Sequence, residues 1–148
     1  LEYMWGIIIA LISGALMSIQ GVFNTGITKQ TGNWLTNSWV QLTGFLVCIV
    51  IWLIKERQTN PVAGLFQVDH KYMLAGGVIG AFITLTVMVS MEKLGPAQAV
   101  LLIVIAQVVV AYLIELFGWF AVEKTGFQWS KLIGMIVAVA GLIIFKWK

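Results

Sequence analysis

Charge is what this chain has least of. Only 10% of its 148 residues are Asp, Glu, Lys or Arg, while 60% are hydrophobic; a soluble domain carries about 25% charged residues. So few ionised groups do not cover a water-exposed surface, and the chain reads as an all-α integral membrane protein of one domain, residues 1–148. Cysteine and histidine are nearly missing too, with Cys48 and His70 each alone. That excludes a disulfide, a cysteine–histidine dyad and a zinc site, and no metal or cofactor is expected. No nucleophile, base and orienting group stand at reachable spacing, so an enzyme is not expected. The basic excess is small, a formal charge of +3. Its lysines are scattered over loops and chain ends, which suits membrane flanks and not nucleic acid.

What is present is long apolar runs. Charge-free stretches place spans at about residues 3–28, 33–54, 72–91, 96–120 and 130–147, each near the 20 or so residues that cross a bilayer. Lys29, Gly32 and Asn33 separate the first two spans, and Glu92 with Lys93 marks the turn before the fourth. Gly95-Pro96 opens that helix, since proline is tolerated where the amide has no helical partner. Residues 55–71 form a polar surface loop with an interfacial segment around Leu65 and Phe66. The N-terminal stretch, with Glu2 before a run of spanning length and no basic segment, is expected to stay in the membrane and not to be cleaved. Trp5, Trp34, Trp52, Trp119, Trp129 and Trp147 fall near span ends, as interface anchors do.

Five spans put Lys55, Arg57, Lys71, Lys124 and Lys131 on one side and Lys29, Lys93, Lys146 and Lys148 on the other. Cytoplasmic retention of positive residues sets orientation, and five against four is almost no bias. The expectation is insertion in both directions, with two copies pairing as an antiparallel dimer of ten helices. Such a pair recreates the inverted repeats of many transporters, and rocking it yields two end states of equal energy.

Acids inside spans cost a few kcal/mol at the bilayer centre and are functional by default. Glu115, after a 21-residue run without charge, is the candidate. It can carry a proton or pair with a cationic substrate, the chemistry of a proton-coupled antiporter; the competing reading is a solvated acid or a structural ion pair with a loop lysine. Gln20 and Asn24 are four apart and share a face with Ser13 and Met17, lining a path or bonding between helices. Gln107, eight residues before Glu115, has the same two readings. Trp39, Ser13, Thr84 and Tyr112 are further lining candidates. Small residues four apart, Gly14 and Ser18, Gly76 and Gly80, Gly134 and Ala138, predict close helix packing.

The run Gly14-Ala-Leu-Met-Ser-Ile-Gln20-Gly-Val-Phe-Asn24, the third-helix Gly76-Gly-Val-Ile-Gly80-Ala-Phe, and Leu94-Gly-Pro-Ala followed by Gln107 and Glu115-Leu-Phe-Gly118 together resemble the YdcZ-type branch of the drug/metabolite transporter superfamily. The resemblance runs over nearly the whole chain. It implies five helices in the bacterial inner membrane, and single dual-topology proteins, oppositely oriented pairs or fused ten-helix chains. Carried over by position, it points to Gln20, Asn24, Gln107 and Glu115. The family commonly has aspartate then histidine where this chain has Glu115-Leu116, so a relay through histidine is not available here. The small multidrug resistance proteins look like distant relatives, but they have four helices and an acid in the first.

The function expected is a secondary transporter of a small organic solute, a metabolite, cation or amphiphile, working by alternating access with an oppositely oriented second copy or paralogue. The alternative is an accessory or binding subunit of a hetero-dimer whose partner carries the coupling site.

Overall fold

A computed structural model describes residues 1–146; Trp147 and Lys148, an expected interface anchor and one of the counted flanking charges, lie outside the described residues. Among the described residues, five helices are long and apolar enough to cross a membrane. They are α1 (Glu2–Thr31), α2 (Asn33–Lys55), α3 (Gly76–Leu94), α4 (Pro96–Phe117) and α5 (Trp129–Lys146). At 1.5 Å per residue, α1 with its 30 residues is roughly 45 Å long, and α5 with its 18 roughly 27 Å.

Helix ends differ from the charge-based expectation for local reasons. Charges do not stop a helix; a backbone break does. Helix α1 runs through Lys29 to Thr31, with the ammonium in the last turn, where the helix dipole favours it, and Gly32 breaks it at φ 86°, ψ 164°. Likewise α3 carries Glu92 and Lys93 inside its last turn and ends before Gly95 at φ 79°, ψ 158°. Only glycine tolerates that region, so both junctions turn on one residue. At its start, α3 is preceded by a 3₁₀ turn over Lys71–Ala75. Helix α4 stops at Phe117 and not near 120, because Gly118 adopts a left-handed conformation, followed by Phe120 (φ 56°) and Ala121 (φ 64°). A Cβ on Gly118 would lie 3.1 Å from the Lys124 Cβ, so the loop folds tightly over this helix end.

The chain divides into two compact units, 1–92 and 93–148. In the first, α1 and α2 pack as a hairpin, and α3 is joined to both. Its core is small and polar: Asn24, Thr25, Thr28, Thr36 and Asn37 are buried beside Met88 and Met91, while the large apolar side chains point outward, as lipid demands. The Met91 side chain of α3 packs onto Gly21 of α1, where a Cβ would sit 2.5 Å from the Met91 methyl. A Cβ placed on Gly14, Gly76, Gly80 or Gly134, the small residues expected at packing faces, meets nothing within 4 Å. The loop after α2 carries a 3₁₀ segment, Val62–Gln67, and is tied down by the Trp52 indole donating to the Asn60 carbonyl at 2.9 Å. Leu65 and Trp52 line an apolar cavity of about 550 Å³ there, with Cys48 on its wall.

In the second unit, α4 and α5 form a hairpin. Thr125 donates its backbone amide to the Glu115 carbonyl at 2.9 Å. Gln128 donates its amide to the Tyr112 hydroxyl at 3.0 Å. These two bonds lay the connecting loop back over the end of α4.

Candidate functional site

The charged centre of the chain lies at that end of the α4–α5 hairpin. Glu115 stands two residues before the end of α4, and Lys131 is the third residue of α5. The lysine Nζ donates to the Glu115 Oε2 at 2.8 Å, with the side chains 38% and 43% exposed in the single chain. Tyr112, one turn before Glu115 and buried, sets its ring 5.4 Å below the same Nζ, within range of a cation–π contact. Val108, Ala111, Tyr112 and Glu115 from α4 face Lys131, Gly134 and Met135 from α5 across an open cavity of about 350 Å³. Gly134, expected to bring helices together, instead leaves room in this wall.

Glu115 thus stands near the end of its helix, paired with a lysine from the first turn of the next. Both charges oppose their helices. A carboxylate at a helix C-terminus and an ammonium at an N-terminus are each on the wrong side of the helix dipole. In water a pair this exposed contributes at most about 1 kcal/mol, so the pairing offsets the mismatch without making a strong lock. Exchanging the two charges, E115K/K131E, gives each helix end about 0.3–1 kcal/mol of favourable dipole interaction. The melting temperature of the exchanged protein in detergent is expected to match or exceed that of the parent; a fall of several degrees would refute the dipole argument.

Gln107 does not reach this cavity. Eight residues at about 100° each leave it rotated by about 80° from Glu115, and it is exposed. Val108, seven before Glu115, takes the place on the shared face.

The other expected residues belong to the first unit. Asn24 is buried, whereas Gln20, Ser13 and Trp39 are exposed. The buried stripe of α1 runs through Gly21, Asn24, Thr25 and Thr28, and Gln20 is rotated about 100° from Gly21. Thr84 joins a network that centres on Asn37. The Asn37 Nδ2 donates to the Ala81 carbonyl at 2.8 Å, and the Gln41 Nε2 donates to Asn37 Oδ1 at 3.3 Å and to Thr84 Oγ1 at 3.2 Å. The Thr28 hydroxyl donates to the Met88 sulfur at 3.1 Å. The sequence reading picks out neither Asn37 and Gln41, which form this network, nor Lys131 as the partner of Glu115. The first two stand four apart within a span, the same spacing that singles out Gln20 and Asn24, so that signal was readable; nothing local marks Lys131 as the partner of Glu115. Among the described residues no His, Cys, Asp or Glu cluster of metal-binding size occurs.

No curated protein and no solved structure matches the chain. One family does: residues 5–144 match the family described as "Putative inner membrane exporter, YdcZ". Five apolar spans, a polar interior and a charged cavity at a hairpin end accord with that description, and the chain belongs to the YdcZ family as a multi-pass protein of the bacterial inner membrane.

Proposed function

We propose that the protein is a secondary exporter of a small organic solute, coupled to protons through Glu115 and working as an antiparallel homodimer. The observation that carries the reading is the Glu115 carboxylate facing an open cavity beside an ammonium and a tyrosine ring. A proton and a cationic group of the solute compete for the same oxygens, so each leaves as the other enters, and antiport follows. The near-balance of positive residues between the two sides supports insertion in both directions. The outward-facing Gly14, Gly76 and Gly80 suit a second copy packing against them. Asn24, Asn37 and Gln41 are the amides available to a path through the first unit.

Orientation is measured by labelling one cysteine in intact cells with a thiol reagent that does not cross membranes. Gly126 is the position of choice: it is exposed and a Cβ there meets nothing within 4 Å, whereas the hydroxyl of neighbouring Thr125 is hidden. With Cys48→Ser and Gly126→Cys, about half of the molecules are expected to label if both orientations insert equally. Complete or absent labelling would overturn the homodimer and favour a hetero-dimer with an oppositely oriented partner chain.

A further inference from the structure

We infer that the Glu115–Lys131 cavity takes a zwitterion, a molecule carrying an ammonium and a carboxylate on one small apolar body; this rests on the cavity being the transport site. The cavity, about 350 Å³, lies at the lower end of the range of small-molecule sites, about 300–1,000 Å³. Its walls are apolar, Val108, Ala111 and Met135, apart from the ion pair and Tyr112. A ligand with a single positive charge displaces Lys131 from Glu115 and leaves an ammonium without its partner. One with a single negative charge leaves the carboxylate without its partner. Leaving one of the two charges without its counterpart is less favourable than exchanging both. A zwitterion exchanges both: its ammonium replaces Lys131 on the Glu115 oxygens, and its carboxylate receives the freed Lys131 Nζ.

Two further observations agree. The pair stands against both helix dipoles, so it gives up less on opening than the reverse arrangement would. Gly134 leaves open the wall beside Lys131, where a ligand body has to pass.

Three probes with the same branched aliphatic body test the assignment: L-leucine, isoamylamine, which lacks the carboxylate, and isocaproate, which lacks the ammonium. Binding to the purified full-length protein is measured with each as a radiolabel. Leucine is expected to bind about fivefold more tightly than either single-charge probe. Glu115→Gln should move the preference to isocaproate, Lys131→Gln should move it to isoamylamine, and E115K/K131E should restore the preference for leucine. Equal affinities, a single-charge preference in the parent protein, no binding of any probe, or single variants that keep the parent's order would each overturn the inference. If isoamylamine or isocaproate binds best and is carried by proteoliposomes, the zwitterion is refuted while the transporter reading stands. If Glu115→Gln leaves pH-driven flux of a carried probe unchanged, the transport site itself is misplaced.

Discussion

Proteoliposomes carrying Glu115→Gln are expected to lose pH-driven efflux to about one-hundredth of the parent rate or less, with the protein remaining folded and its oligomeric state unchanged. Glutamine has the shape of glutamate and still accepts a hydrogen bond from Lys131, so the 2.8 Å contact survives as one between an ammonium and a neutral amide. What it cannot do is exchange a proton for a solute cation. A loss of about two orders of magnitude corresponds to about 2.7 kcal/mol on the activation barrier. Glu115→Asp separates charge from reach: the carboxylate is kept but withdrawn by one methylene, and an intermediate rate is expected. Unchanged flux in Glu115→Gln would remove Glu115 from the mechanism and leave it as a structural partner of Lys131.

The second large effect is on stability. Met88 is fully buried, and its sulfur accepts the Thr28 hydroxyl. Met88→Ala empties the centre of the three-helix unit and is expected to cost about 2–5 kcal/mol, the range for large-to-small changes in packed cores. Met88→Leu keeps the volume and is expected to cost under about 1.5 kcal/mol, because the freed Thr28 hydroxyl turns back to the carbonyl one turn earlier, as Thr25 already does toward Gly21. Unfolding titrations in mixed micelles, read by tryptophan fluorescence, give both values. Equal losses in the two variants would show that the sulfur contact, and not the filled volume, holds α1 to α3.

The number of spans and the polar loop were legible in the sequence because charge is excluded from hydrocarbon on a scale of kcal/mol per residue, which sets span from loop. Helix ends were less legible. Lys29, Glu92 and Lys93 read as turn residues, yet each sits in a last helical turn, where single charges are tolerated and one glycine decides the break. The acid Glu115 stood out, since nothing else in its run is charged. Its partner did not, because Lys131 is 16 residues away and meets it only once the loop reverses through left-handed Phe120 and Ala121. Rotation about a helix also decides finely: Gln107 and Val108 differ by one position, and only the second faces the cavity. Stripes of small residues showed which faces are smooth, though not which neighbour approaches them; within the chain it is Gly21 that meets another helix.

On the proposed mechanism, the unequal described lengths of α1 and α5 would bring the surrounding lipid into play. A hydrocarbon layer of about 30 Å leaves part of the 30-residue α1 to lean or emerge, while the 18 described residues of α5, at roughly 27 Å, fall just short of it. Longer acyl chains therefore draw the first turn of α5 inward, and Lys131 with it, into a medium where its charge is held more tightly to Glu115. Shorter chains let that turn rise toward the headgroups and loosen the pair. On the proposed mechanism, membrane thickness would then set how readily the cavity opens, and a cell that changes its fatty acids with temperature would shift that balance.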